Sequence, residues 1–460
     1  MPLLPHFHHF GGTHWETAAL RNALAYSGVV APHTGNALSE AMCLGLAGGI
    51  AAGYSFCPSI PGWQAKMEAD PKLAAKLMKD AQARAGANGG DGGGALEACY
   101  IRQFNCGSGV SIVGRHHAFS TGADKYDAPL KRLGFKTIVK ESTSVKAAQQ
   151  HLIDALAAGR PAFLWTAALK VTSLGWAGTC GMYSTLCVGI DDAKGMALLA
   201  DRGPNAVEIS LEELSFLRNR VCSFKNRSLT FEAGKLDEKT FKAGVLDALR
   251  ACAADFAKPK LGTYNLPGLL ELSKVIANPK NKKGWPVVYG LPGKGKGGAG
   301  GTRLFLPLRD VFDSIETAGT GGGLLRAMYA DFLDEAAQVV GKPALKQVAA
   351  GYRELAGQWE QLAEACLPDA VKPFKKTKEL LRKRESLLRQ KGGKAAKEME
   401  KLTTELNDLA SEVRQAFPMN EAQAIEHLES LSRHIATLHA AETEAAKELN
   451  AAIGAAVSTR

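Results

Sequence analysis

The chain has 460 residues, of which 46% are apolar and 22% charged, a composition that excludes global disorder and suffices for two or three domains. Its most apolar stretch, residues 41–54, is shorter than the roughly 20 residues that a membrane-spanning helix needs. The N-terminus MPLLPHFHHF lacks the basic segment and long apolar core of a secretory signal, so we expect a soluble, cytoplasmic protein. The nine cysteines form no CxxC pair, which favours reduced thiols over disulfides.

The positive charge is concentrated near the C-terminal end. The formal net charge is +10, and residues 372–401 hold twelve bases against four acids, a balance of +8 that leaves +2 for the rest. This distribution disfavours nucleic-acid binding by the body of the chain. The basic segment is typical of a solvated helix face, and the alternatives are contact with an acidic partner, such as a carrier protein, or with a phosphate backbone.

The first 230 residues mix helical and strand patterns, which favours an α+β fold. Thr13 and Glu16 have the spacing of a capping box, with Thr13 as the expected N-cap of a helix that begins at Trp15. Helices are predicted over 15–26, after Ser39, over 146–158 and after the cap residue Ser210. Apolar runs predict strands over 54–56, 161–166, 185–190, 196–200 and 206–209.

From about residue 236 onward, the three-to-four spacing of apolar residues predicts helices throughout. They are expected over 241–257, 266–277, 308–318, 324–340, 344–366 and 372–458. Breaks at Gly392-Gly393 and Phe417-Pro418 divide the last stretch into two or three long antiparallel helices. We therefore predict an α+β domain over 1–232, an all-α domain over 233–368 and a basic helical tail over 369–460.

Two motifs carry little specific signal. The segment GLPGKGK at 290–296 matches the start of a phosphate-binding loop, but Gly297 stands where that loop needs Ser or Thr to hold Mg²⁺, so we expect a mobile basic loop. The N-terminal histidines have no carboxylate or cysteine at helical spacing, so we predict neither a metal site nor a cofactor. They are His6, His8, His9 and His14.

A glycine-rich run leads directly into the helix predicted over 324–340. Free backbone N–H groups at such a helix start can hold a phosphate or a carboxylate. The predicted substrate- or anion-binding residues are Gly321, Gly322, Gly323 and Arg326. The alternative is that the glycines let the helix start pack tightly against a neighbouring element.

Several motifs, in order and spacing, resemble a known family. They are HWETAALRNALAY at 14–26, LSEAMCLGLAGG at 38–49, GRP at 159–161, VGID at 188–191, LAD at 199–201 and EISLEEL at 208–214. Together they are similar to the N-terminal domain of butirosin biosynthesis protein H. The run GTGGGLLRAMYADFL at 319–333 and the helix over 352–359 resemble the helical domain of unknown function that commonly follows it. The resemblance covers most of residues 1–367.

The resemblance implies a papain-like cysteine-protease-type fold, related to bacteriocin-processing peptidases and used as an acyltransferase. Such a protein moves an aminoacyl group from a carrier-protein thioester to an amine. In that chemistry a thiolate at a helix N-terminus attacks the thioester, a strand histidine moves the proton, and an acid orients the histidine.

Two of the three catalytic positions differ from the family pattern. The nucleophile position is Trp15 and the histidine position is Tyr183, while Asp201 keeps the expected type. Because members of such a triad act as a unit, we expect covalent thiol catalysis to be lost here. The other thiols considered as substitutes are interpreted as small buried residues, and the pair His116-His117 remains an alternative base. Those thiols are Cys43, Cys57, Cys106, Cys180 and Cys187.

Two functional hypotheses remain open. In the first, an acceptor amine attacks the thioester directly, N–H groups at the start of the Trp15 helix stabilise the oxyanion, His14 or Glu16 takes the proton, and Asp201 orients the amine. In the second, the chain is an inactive scaffold that binds an acyl or amine ligand or a pathway enzyme. The expected partners are an acyl carrier protein or pathway enzyme, and the helical domain is the expected surface for a homodimer.

Overall fold

The computed structural model describes residues 4–56, 108–115, 125–167, 182–219, 225–257, 265–293 and 302–454. Several predictions fall outside these ranges. They concern the lysines of the 290–296 motif, the thiols Cys57, Cys106 and Cys180, and the pair His116-His117.

Two antiparallel sheets form the β part of the described chain. The smaller one pairs β1 (Gly53–Phe56) with β2 (Val110–Val113). The larger one contains β3 (Lys136–Lys140), β4 (Ala162–Ala167), β5 (Met182–Asp191), β6 (Met196–Ala200), β7 (Val207–Ser210) and β8 (Ser228–Glu232). Its spatial order is β3-β8-β4-β5-β6-β7, and every neighbouring pair is antiparallel. The predicted mixture of helices and an antiparallel sheet is confirmed.

This part of the described chain contains five helices. They are α1 (Trp15–Tyr26), α2 (Glu40–Leu46), α3 (Asp127–Arg132), α4 (Val145–Ala157) and α5 (Leu211–Asn219). Four of the five lie against the larger sheet and its edges, whereas α2 packs on other helices. The predicted cap of α5 is confirmed, since the Ser210 hydroxyl accepts a hydrogen bond of 3.1 Å from the Glu213 amide. The predicted cap of α1 is wrong: the N-cap is His14, whose Nδ1 accepts from the Glu16 amide, while the Thr13 amide donates to Glu40 instead.

The remainder of the described chain is helical. Its helices are α6 (Glu238–Ala257), α7 (Asn265–Val275), α8 (Trp285–Val288), α9 (Phe305–Glu316), α10 (Arg326–Val340), α11 (Ala344–Cys366), α12 (Lys372–Lys391), α13 (Ala396–Gln415) and α14 (Glu421–Ile453). The predicted breaks are confirmed: a 3-10 turn at Gly392–Ala395 joins α12 to α13, and α14 starts after Pro418. None of these described helices is both long and apolar enough to cross a bilayer.

One predicted helix start shifts by two residues. Leu324 and Leu325 have φ angles of 51° and 69°, so α10 begins at Arg326. Such angles are unfavourable for residues with a Cβ atom, and both leucines are buried, so packing overrides the local backbone preference.

A buried ion pair connects distant parts of the chain. The Arg326 guanidinium donates 2.8 Å hydrogen bonds from Nε to Glu442 on α14 and from Nη1 to the Ala51 carbonyl before β1. Trp359 on α11 donates its indole N–H to the same carboxylate at 2.7 Å. Helix α14, which lies in the predicted tail, is therefore anchored to both predicted domains.

A histidine at the α14–α11 contact makes stability depend on pH. His427 Nε2 lies 3.4 Å from the Cys366 carbonyl oxygen, and burial lowers the pKa of His427 below the ordinary 6.5. The folded state favours the neutral imidazole of His427. The residue therefore contributes to the free energy of unfolding above about pH 6.5, and this contribution is lost as the pH falls toward the folded-state pKa.

We therefore expect the His427→Gln variant to lose less stability than the wild type on acidification. The measurement is the urea-unfolding free energy at about pH 7.5 and about pH 5.5, on either side of the ordinary histidine pKa. His434→Gln is the matched control, because His434 is exposed on the same helix. If the unfolding free energy of the wild type and of His427→Gln changed equally with pH, the lowered pKa of His427 would be contradicted.

Candidate functional site

The three positions that the resemblance assigns to the catalytic groups meet at the N-terminus of α1. The partly buried Trp15 indole stacks on Tyr183 of β5, with ring centroids 5.4 Å apart and planes at 29°. It also stacks on His14, at 4.2 Å and 24°. The Tyr183 hydroxyl donates a hydrogen bond to Asp201, which directly follows β6. The sequence-predicted catalytic residues therefore form one cluster.

Asp201 is held by groups that the sequence did not single out. Its Oδ1 accepts a 2.7 Å hydrogen bond from the Arg202 amide, and the Arg202 guanidinium lies 3.6 Å away. That guanidinium is 1% exposed and also pairs at 3.1 Å with Glu385 of α12. Burial and the Asp201 charge raise the pKa of Tyr183 well above its ordinary value, so the phenol is protonated.

An internal carboxylate occupies the N-terminus of α1. Glu40, at the start of α2, accepts 2.9 Å hydrogen bonds from the amides of Thr13 and His14 and a 2.7 Å bond from the Thr17 hydroxyl. The His14 amide is the first of the free N–H groups at this helix start, and the Thr13 amide precedes them. The Glu40 charge therefore lies beside the helix start, where it is unfavourable for an oxyanion.

The two proposed proton acceptors are engaged as well. His14 Nδ1 accepts from the Glu16 amide at 3.2 Å, so the proton of the neutral ring resides on Nε2. The Glu16 carboxylate lies 3.4 Å from Nε of Arg115, and the two side chains are 13% and 3% exposed. Taking up a proton at His14 would break the cap of α1, and taking one up at Glu16 would leave a buried guanidinium without its counter-charge.

The described thiols are poor nucleophiles. Cys43 and Cys187 are both fully buried in the core. Burial raises the pKa of Cys187 to about 11, and it also raises that of Cys43. Since the thiolate is the reactive form, neither residue replaces the missing nucleophile.

The glycine-rich run meets the site by packing. A Cβ atom on Gly319 would lie 2.9 Å from the Trp15 indole, and one on Gly321 would lie 2.6 Å from the Thr13 side chain. The Gly323 amide donates to Glu316 at 3.2 Å, whereas Arg326 points into the core toward Glu442. The Gly323 amide and the Arg326 side chain, which the predicted anion site needs, are therefore engaged within the protein. The close contacts of Gly319 and Gly321 correspond to the alternative prediction, in which the glycines let the helix start pack tightly against a neighbouring element.

A Cβ atom on Gly322 would lie 3.4 Å from the Glu360 carboxylate. Glu316 lies 3.7 Å from the same position, so the charges nearest Gly322 are carboxylates, which are unfavourable for an anion there.

A surface groove of about 460 Å³ lies apart from the Trp15 cluster, between α3 and α6. It is lined by Ala128, Lys131, Arg132, Ala243, Gly244 and Asp247. Within the part of the chain that the structure describes, no three His, Cys, Asp or Glu side chains are grouped to hold a metal ion.

Comparison with known families gives a match to one segment of the helical part. Residues 299–390 match a domain of unknown function, DUF4872. The segment runs from before α9 into α12, so it begins inside the predicted second domain and extends past residue 368. No curated protein matches the chain.

Proposed function

We propose that this chain is a non-catalytic, papain-like relative of butirosin biosynthesis protein H that serves a biosynthetic pathway as a scaffold. Its ligand would be an acyl or amine compound, or a pathway enzyme. The observation that carries the proposal is the Trp15 indole, which stacks on both His14 and Tyr183 where the family resemblance expects a thiol beside a histidine.

The geometry supports the papain-like assignment through three positions that are distant in sequence. A helix N-terminus, a strand of an antiparallel sheet and the end of the next strand meet at Trp15, Tyr183 and Asp201. This is the arrangement that a thiolate, a histidine and an orienting acid require. The DUF4872 match overlaps the region where the resemblance expects a helical domain of unknown function and extends beyond it to residue 390.

The contacts of the site support a non-catalytic role over non-covalent transfer. Direct attack of an amine on a thioester needs donors for the oxyanion and an acceptor for the proton. Glu40 takes the amides of Thr13 and His14, while His14 and Glu16 are engaged in contacts of their own. Non-covalent transfer stays a prediction from the sequence, and it would require these contacts to open.

The decisive experiment incubates the full chain with a panel of aminoacyl carrier-protein thioesters and amines and follows amide products and protein mass. We expect no product above the Trp15→Ala/Asp201→Ala variant and no covalent adduct on the wild type. The Trp15→Cys/Tyr183→His variant should capture the acyl group on its introduced thiol, because Asp201 lies where it can orient the introduced imidazole.

Trp15→Cys alone is the matched control, and without a base it should capture the acyl group about 100-fold more slowly or worse. Wild-type turnover above the Trp15→Ala/Asp201→Ala background would overturn the non-catalytic role. A folded double variant that captures no acyl group faster than Trp15→Cys would count against the papain-like relation.

A further inference from the structure

Helix α12 exposes a strongly basic face, called here the basic face. Ten residues of the helix are exposed, and seven of them are bases while one is an acid. The bases are Lys372, Lys375, Lys376, Arg382, Lys383, Arg389 and Lys391, and the other exposed residues are Glu379, Ser386 and Gln390. Over its 20 residues the helix is about 30 Å long.

The opposite side of α12 fixes the orientation of this face. Phe374 and Leu381 are buried in the core, and Arg384 pairs at 3.3 Å with Asp313 of α9. A helix held by buried apolar contacts and a buried ion pair cannot rotate without losing both. The basic face is therefore a constant part of the protein surface.

Four of the bases have no ion pair among the residues that the structure describes. Lys376, Arg382 and Lys391 pair with Glu405, Glu364 and Glu398, respectively. The four that remain are Lys372, Lys375, Lys383 and Arg389. At 3.6 residues per turn these lie within an arc of about 120°, so their charges add on one side of the helix.

The face adjoins the Trp15 cluster through the inner side of α12. Glu385 pairs with Arg202, which follows Asp201, and a Cβ atom on Gly203 would lie only 2.5 Å from Gly392 Cα. A molecule on the basic face would therefore lie about one helix diameter, roughly 10 Å, from the cluster.

The composition of the face favours a protein over a nucleic acid. Single-stranded nucleic acid needs aromatic side chains for base stacking, but Phe374, the aromatic residue of α12, is buried. Glu379 lies within the face and would repel a phosphate backbone, whereas a protein can present a base to it. The four unpaired bases also lie along one side of a 20-residue helix, and a helix of a partner protein can run alongside it.

We infer that the basic face of α12 docks an acidic α-helix of a partner protein. The inference rests on the proposed scaffold role, for which it supplies the surface and the chemistry of the partner. Carboxylates at i, i+4 and i+7 of the partner helix share one side of that helix, and this side would face the four bases that have no ion pair among the described residues.

The test is binding of a fluorescent helical peptide with glutamates at i, i+4 and i+7 to the full chain, measured by anisotropy at low and high salt. The first control peptide has the same composition with its glutamates spread around the helix. The variant Lys372→Glu/Lys375→Glu/Lys383→Glu should weaken binding about tenfold, since each exposed ion pair contributes only modestly to affinity.

The matched control variant is Lys239→Glu/Lys242→Glu/Lys346→Glu, which makes the same change in net charge at exposed lysines elsewhere. It should weaken binding by less than about twofold, because distant charges are screened. Equal losses in both variants, or equal binding of both peptides, would overturn the inference.

Duplex DNA is the third probe, and tighter binding of DNA than of the acidic peptide at matched salt would also overturn the inference. The binding assay contains no thioester. A negative binding result would therefore overturn the docking inference without affecting the proposed non-catalytic role, which the thioester assay tests separately. Circular dichroism of each variant verifies that helix content is unchanged.

Discussion

The Arg326→Met variant is expected to lose about 3–5 kcal/mol of unfolding free energy. Arg326 and Glu442 are both 0% exposed, so removing the guanidinium leaves a buried carboxylate without its counter-charge. The hydrogen bonds that Arg326 donates to the carbonyls of Ala51 and Leu324 are lost as well. Urea unfolding monitored by circular dichroism measures the change.

The matched control is Arg353→Met on α11. Arg353 pairs with Asp331 and Asp334 at 2.8 and 2.7 Å, but its side chain is 45% exposed, so the expected loss is at most about 1 kcal/mol. The Arg326→Met/Glu442→Leu variant should recover part of the stability, because it removes the unpaired charge. Equal losses in the two single variants would show that the buried pair contributes no more than a surface one.

The Gly45→Ala variant is expected to lose about 1–3 kcal/mol of unfolding free energy, although alanine is the better helix former. Gly45 lies in α2, and a Cβ atom there would be 2.1 Å from the Phe332 ring of α10. Since Phe332 is itself fully buried, the ring has little room to move. The absent side chain lets α2 and α10 approach each other closely.

Gly357→Ala on α11 is the control for helix propensity alone. No heavy atom beyond its chain neighbours and its own helix lies within 4 Å of a Cβ atom at this position. This variant should gain about 0.5–1 kcal/mol, since alanine loses less backbone entropy than glycine. A stability gain for Gly45→Ala in the same urea measurement would contradict the close packing of α2 on α10.

Elements with a long and regular apolar pattern could be predicted from the sequence. The pattern over 344–366 gives α11 with its observed ends, and the breaks at 392–393 and 417–418 divide the last helices as expected. The α1 cap could not be predicted, because Glu40 binds the Thr13 amide from 27 residues further along the chain. Local spacing contains no information about such a partner.

The candidate site was predictable only where the family resemblance gave positions for Trp15, Tyr183 and Asp201. The position of Arg202 in the sequence, directly after a predicted buried strand and Asp201, is a weak indication that it belongs to the site. Glu385 carried none, because it lies 183 residues further on and reaches Arg202 only through the packing of α12. Arg326 shows the same limit, since Glu442 turns it toward the core.

The distance between Arg326 and Glu442 along the chain also bears on how the protein is made. Glu442 is synthesised 116 residues after Arg326, which corresponds to about 6–23 s at ribosomal speeds of about 5–20 residues/s. During that interval the guanidinium has no carboxylate to bury against. The nascent helical core therefore lacks this buried ion pair until α14 emerges, and the apolar surfaces that α14 covers stay exposed during that interval.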